Sequence, residues 1–327
     1  RTNAQEIILN APLHTGVNQI VQPITGGFSL NYRSDTDVVE PVVVVETSVL
    51  SSASAPSSLS SQLDFDSVSG SSISFDTTGL TAGDDLRFVS QVDASSLGTG
   101  YYDYTLTLTA DSVDTTFDGS QAIVDRSDSE FGSGWWLDGL DQLVVETDGV
   151  LHVHSSGDTT WYAEDGSGGF ESAIGSYSTL VENTGGTYTL TTKHGTEYDF
   201  SSIGLLTSIE DTNGNTTSFA YTDADSDSVS DELYTITDPF SRVTTFAYSS
   251  GLLSTITDMA SRVTTFSHTG GNLLTVTAPD PDGAGSLTSP VHTYTYSSGR
   301  LATSKDANNN TTTFTYDTNS GRLDKIT

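Results

Sequence analysis

Hydrophobic and polar residues alternate with a period of two over much of the chain. In YYDYTLTLTA (101–110), Tyr102, Tyr104, Leu106 and Leu108 stand against Asp103, Thr105 and Thr107, the pattern of a strand with one buried face. Further strands are expected over EIILN (6–10), GGFSLNYR (26–33), VVEPVVVVET (38–47), QLDFDSV (62–68), SISFDTT (72–78) and DLRFVSQVDA (85–94). Turn signals such as TAGDD and SLGTG separate them at the spacing of a β-sandwich, so residues 1–126 are expected to form one β-sandwich-like domain. The Ser- and Ala-rich stretch 51–62 reads as a linker or long solvent loop.

Residues 127–203 are also strand-like and carry all three tryptophans, Trp135, Trp136 and Trp161. Adjacent Trp135 and Trp136 point to opposite faces of an extended chain, so one closes a core while the other covers a neighbouring layer. The alternative is a surface platform of aromatics for a sugar. Hairpins are expected over LVVETDGVLHVH, DTTWYAEDGSGGF and GTYTLTTKHGTEYDF, turning at Asp148-Gly149, Asp165-Gly166 and His194-Gly195, where such pairs tolerate positive φ. This region is expected to be a junction leading into the C-terminal part of the chain.

From residue 204 to 327 the alternation becomes a repeat. GLLTSIEDTNGNTTSFAY (204–221), LYTITDPFSRVTTFAY (233–248), GLLSTITDMASRVTTFSH (251–268), GNLLTVTAPD with VHTYTY (271–280 and 291–296) and GRLATSKDANNNTTTFTY (299–316) share one grammar. A Gly turn leads into a strand ending in Asp; a tight turn and a second strand ending in an aromatic plus Tyr or His complete the unit. Asp238 and Asp258 recur before the turns, Arg242 and Arg262 after them. A repeated turn Asp caps its own amides, so these residues are assigned to scaffold and not to catalysis. One such hairpin is marginal alone, so the units are expected to stack laterally into a sheet lined by Leu, Ile, Phe and Tyr.

These repeats resemble the RHS/YD-repeat family, which includes bacterial rearrangement-hotspot proteins, the large component of insecticidal toxin complexes and the animal teneurins. The family pattern G-x-L-x-x-I-x-D-x-x-G-x-x-T-x-x-x-Y is met by Gly204, Leu206, Ile209, Asp211, Gly214, Thr217 and Tyr221. Tyr248 and Tyr316 close later copies. Ser241 and Ser261 stand where the turn glycine is expected, as does Asn310 in the last copy, and His268 replaces one closing tyrosine. The upstream GSGWWLDGLDQL is similar to the segment that leads into such repeats. The resemblance implies a secreted or cell-surface protein whose β-ribbon winds into part of a hollow shell or a display stalk. Its partners would be the rest of the same polypeptide, including a C-terminal toxin or effector, and a cell-surface glycan or protein. With Arg1 at one end and GRLDKIT at the other, both ends are expected to continue into something longer.

Composition narrows the chemistry. Lysine and arginine number 11 against 43 aspartates and glutamates, a formal charge of -32. That field repels phosphates, so no nucleic-acid partner is expected. Without cysteine there is neither a disulfide framework nor a thiolate metal site, and no apolar run of about 18 residues offers a transmembrane helix.

The best candidate site is YTDADSDSVSDELY (221–234). Asp223, Asp225 and Asp227 fall at positions 1, 3 and 5 of a calcium-loop register, Val229 offers a carbonyl at 7 and Asp231 stands at 9, with Glu232 as auxiliary. A divalent cation would offset the repulsion among these carboxylates; the competing reading is a solvated acidic loop. Ser228 replaces the glycine of position 6 and the flanks are β, so this is not an EF-hand. Structural Ca2+ is the one cofactor the sequence suggests. His152 and His154 lie on one face of a strand, about 6 to 7 Å apart at Cα, a spacing that two zinc ligands could use. No third ligand is evident from the sequence, which leaves ordinary strand surface as the reading. The leading function is structural, with an adhesin-like binding module as the alternative. A polysaccharide-active enzyme would need two carboxylates at roughly 5 to 10 Å, and no such pair is marked.

Overall fold

The computed structural model describes residues 8–10, 19–23, 29–33, 42–48, 57–65, 68–78, 85–92, 94, 96–172, 175–283, 285–316 and 323–327. Among them the chain is all-β, with 29 strands and antiparallel pairing throughout. It divides into two compact units. One is built on Val38–Ile123 with Arg1–Thr15 and Asn319–Gly321, the other on Val124–Thr318 with Gly16–Asp37 and Arg322–Thr327.

In the first unit, Ile8–Asn10, Val42–Ser48 and Asp85–Gln91 form one sheet, and a second is ordered Val113–Ile123, Gly100–Ala110, Leu59–Phe65, Val68–Ser69, with Ile73–Phe75 also on Leu59–Phe65. Leu59–Phe65 corrects the expectation of a loop to residue 62. Leu59, Ser61, Leu63 and Phe65 are buried while Ser60, Gln62 and Asp64 are half-buried. Serine propensity hides this alternation; the Ser61 hydroxyl enters the core because it pairs with the buried Ser90 hydroxyl at 2.5 Å. Val113–Ile123 is a strand that alternation does not predict. It lies at the sheet edge with most of its first half exposed, so it carries no apolar stripe to betray it. The expected strand residues 6–7, 26–28, 38–41, 66–67 and 93, the first six residues of the expected linker and residues 81–84 of the turn TAGDD lie outside the described residues.

In the second unit, Gln19–Pro23 and Ser29–Arg33 join Trp135–Leu137 in a small sheet, and Gln142–Glu146, Gly149–Val153, Thr159–Glu164 and Phe170–Glu171 form a four-stranded meander. The turn of its first hairpin falls on Thr147 and Asp148, because Glu146 pairs with Gly149. Gly149 is therefore a strand residue and not a turn residue. A Cβ there would come within 2.4 Å of the Tyr162 carbonyl and 2.6 Å of the Trp161 ring.

Fourteen strands from Thr179–Glu182 to Leu323–Ile326 then pair in strict chain order. Three local devices recur along this sheet. The first is the turn: an Asp accepts the amides two and four residues on, and its second oxygen holds the side chain four residues on. Asp211 does this with Asn213 and Asn215, Asp238 with Phe240 and Arg242, Asp258 with Ala260 and Arg262, and Asp306 with Asn308 and Asn310. The residue three after the Asp is left-handed in every case: Gly214 (φ 79°), Ser241 (60°), Ser261 (59°) and Asn309 (69°). Asn309, and not Asn310, thus takes the glycine position; Asn310 occupies the place of Arg242 and Arg262. Because serine strains there and glycine does not, Ser241→Gly and Ser261→Gly are each expected to add about 0.5–1 kcal/mol of stability, read as a higher urea midpoint at unchanged m.

The second device is a bulge. Leu253 pairs with Tyr248 and Thr255 with Ala247, leaving Ser254 as an extra residue. The same irregularity occurs opposite Phe200, Tyr221, His268, Tyr296 and Tyr316. Residues three apart on a flat strand face opposite ways; the inserted residue brings Leu253 and Ile256 to the same buried face. The third device is a latch. The hydroxyls of Tyr221, Tyr248, Tyr296 and Tyr316 donate to the carbonyls of Leu206, Leu233, Leu273 and Leu301 at 2.7–2.9 Å. Each closing tyrosine so ties its ring to the carbonyl of a leucine that stands at a bulge.

The inner face is covered by residues 129–143. Leu253 N donates to Glu130 O at 2.8 Å, Ser133 N to Gly271 O at 2.9 Å, and Trp135 Nε1 to the Tyr296 hydroxyl at 2.8 Å. Phe131, Trp135, Leu137, Leu140 and Leu143 share one core with Leu206, Leu233, Phe246, Leu253, Leu273 and Leu301. Gly204 is needed at the margin of this cover: with φ 84°, a Cβ on it would sit 1.9 Å from the Leu143 carbonyl oxygen.

Candidate metal centres

Two groups of metal-ligating side chains come together among the described residues. One is in the loop between Thr216–Thr222 and Glu232–Thr237. Oxygens of Asp223, Asp225 and Asp227 lie within 4.8 Å of one another, and all three residues are exposed. Ser226 and Ser228 are left-handed (φ 71° and 78°), which curls the chain so that the carboxylates cap local amides. Asp225 accepts from Asp227 N (3.0 Å), Asp227 from Val229 N (2.7 Å) and Asp223 from Ser228 N (3.2 Å).

The remaining carboxylates of the expected calcium register take other positions. Glu232 is buried, and its two oxygens accept the amides of Ala224 at 2.8 Å and Asp225 at 3.1 Å, so it anchors the start of the loop. Asp231 stands outside the three-carboxylate group. Burial, together with the charges of Glu232, Asp227 and Asp225, pushes the Asp231 carboxyl up. A cation in the loop would relieve that repulsion.

The other group is Asp141, His152 and His154. The hairpin register pairs Gln142 with Val153, which carries Asp141 one step further, alongside His154. Asp141 Oδ2 lies 2.9 Å from His152 Nε2 and 3.4 Å from His154 Nδ1, and Oδ1 accepts the Ser155 amide at 2.8 Å. The imidazoles stack with centroids 4.0 Å apart. His152 is buried, and the His154 side chain is 40% exposed, with its Nε2 3.4 Å from Thr160 Oγ1. Burial raises the Asp141 carboxyl, but the hydrogen bonds from the two imidazoles and Ser155 outweigh it and hold the group well below the ordinary carboxylate range. Burial pushes His152 down against the opposing pull of Asp141, which leaves a neutral imidazole beside an ionised carboxylate. Spacing along the sequence stops at the two histidines and misses Asp141; the hairpin pairing is the signal that could have found it.

The tryptophans serve packing. Trp135 is fully buried against Tyr294, with ring centroids 4.8 Å apart. Trp136 is half-buried, donates from Nε1 to Leu140 O at 2.6 Å and carries the Arg126 guanidinium 4.9 Å above its ring. Trp161 is half-buried over Gly149. No family model matches the chain, and no curated protein matches it.

Proposed function

We propose that the chain is a non-catalytic structural segment of a larger YD-repeat protein of the RHS type, secreted or displayed at a cell surface, forming part of an encapsulating shell or a stalk. The observation that carries this reading is the fourteen-strand meander with its recurring Asp turn, bulge and Tyr latch. A surface that returns the same residues at each step builds a wall, whereas a reactive site needs unlike residues converging. Among the described residues Leu323–Ile326 pairs on one side only, an open edge of the kind on which another strand pairs. Burial of Trp135 weighs against an aromatic sugar platform. The scaffold reading predicts slow hydrogen exchange across 206–314 as one cooperative block, with no turnover of polysaccharides and no saturable glycan binding on arrays. Saturable binding or turnover would replace the scaffold with a binding module or an enzyme.

The Asp223, Asp225 and Asp227 cluster is assigned to structural Ca2+. At calcium one hundredfold above its Kd the folded state gains about 2.7 kcal/mol, which corresponds to a Tm rise of roughly 5–10 °C for a unit of this size. The shift is expected in the chelator-treated native chain and absent from a triple variant carrying Asp223→Asn, Asp225→Asn and Asp227→Asn. Equal melting curves with and without calcium in the native chain would make the loop a solvated acidic turn.

A further inference from the structure

We propose that Asp141, His152 and His154 form a binding site for a divalent transition metal ion of the imidazole-preferring class, with Zn2+ its chief occupant. The site is separate from the calcium loop and independent of the scaffold reading. Its donors are two imidazole nitrogens and one carboxylate oxygen, a set that suits zinc and not the hard ions calcium or magnesium.

Geometry supports the assignment in three ways. The two nitrogens converge on a single carboxylate oxygen, at 2.9 and 3.4 Å. Bonds of about 2.0–2.1 Å to a tetrahedral ion would place neighbouring donors about 3.3–3.4 Å apart, and the three ligand atoms already lie within 4.8 Å of one another. Each donor is also held from behind. Asp141 is fixed by the Ser155 amide on its other oxygen, His154 by Thr160 on its other nitrogen, and the His152 ring lies edge-on to Phe200 with centroids 6.1 Å apart. Outer partners of this kind orient metal ligands. Finally, the side chains are graded in exposure. His152 and Asp141 are 3% and 12% exposed and His154 is 40% exposed, so a fourth coordination position opens on the His154 side, where water completes the shell. Bound metal would tie the loop before Gln142–Glu146 to the end of Gly149–Val153, closing the hairpin at the end opposite its turn.

The test uses the metal-stripped full chain, titrated with Zn2+ by calorimetry in millimolar Ca2+ so that exposed carboxylates are already occupied. One Zn2+ per chain is expected, and Co2+ in its place should give the intense visible absorption of a four-coordinate site. His154→Gln, at the most exposed ligand, should weaken zinc binding roughly tenfold or more while far-UV circular dichroism stays unchanged. Asp223→Asn should leave zinc binding as it is. Zinc displaced by Ca2+, a Co2+ spectrum of the weak six-coordinate type, or equal affinity in the native chain and in His154→Gln would each overturn the site.

Discussion

Trp135→Ala is expected to destabilise the repeat-bearing unit by about 3–5 kcal/mol, the range for removing a fully buried aromatic. Trp135 is the largest side chain in the core and is 0% exposed. Its ring packs on Tyr294 and its Nε1 donates to the Tyr296 hydroxyl, which itself donates to Leu273 O at 2.8 Å. The substitution therefore opens a cavity under the sheet and removes one end of a two-bond chain. Trp135→Phe keeps most of the volume and loses the donor, so about 1–2 kcal/mol is expected. Urea unfolding followed by far-UV circular dichroism reads both variants, since fluorescence would change with the indole itself. Pairing Trp135→Phe with Tyr296→Phe in a double-mutant cycle isolates the hydrogen bond. A loss below 1 kcal/mol for Trp135→Ala would mean that residues 129–136 do not brace the sheet.

This brace shows where the sequence is legible and where it is not. The all-β class and the stacked hairpins follow from period-two alternation and the recurring turn signals. The L-x-x-I spacing is visible as a motif, but its meaning is not: residues three apart share a face only when a bulge absorbs the extra residue, and a bulge has no composition of its own. In the repeats Leu and Ile mark the core openly. In Leu59–Phe65 a serine occupies a core position, and the burial of Ser61 depends on Ser90 far along the chain. The group of Asp141, His152 and His154 shows the same limit. His152 and His154 announce themselves by spacing, whereas Asp141 joins them through strand register. In the acidic loop the alternating aspartates are readable, yet Glu232 anchors backbone amides, because a buried carboxylate takes whichever donors lie beneath it.

Stability is also expected to fall as pH rises from about 4.5 to 8, through Glu130. This residue lies against the strand containing Leu253, to which its carbonyl is bonded. Part of its surface reaches solvent, but burial, reinforced by the charges of Asp231 and Glu232, pushes its carboxyl up from 4.5 to about 8. The unfolded chain releases that proton near 4.5 while the folded chain keeps it until about 8. Folding is thus favoured in full below the unfolded pKa, and the contribution is lost as pH rises through the folded one. At about 1.4 kcal/mol per pH unit, and allowing for the partial access of water, the loss is on the order of 2–3 kcal/mol across the window. The turn aspartates act in a different range. Hydrogen bonds from Asn215 hold Asp211 down at about 2, and those from Arg242 and Asn310 lower Asp238 and Asp306, so their contribution is present above about 3.8 and fades as pH falls through the lowered values. A net charge of -32 adds general repulsion as pH rises, and comparison with Glu130→Gln cancels that shared term. Melting the two proteins in parallel from about pH 4.5 to 8.5 should show the native curve descending more steeply, with the variant gaining on it toward pH 8. Parallel curves would mean that Glu130 is ionised in the folded protein at neutral pH and that Asp231 and Glu232 do not raise it.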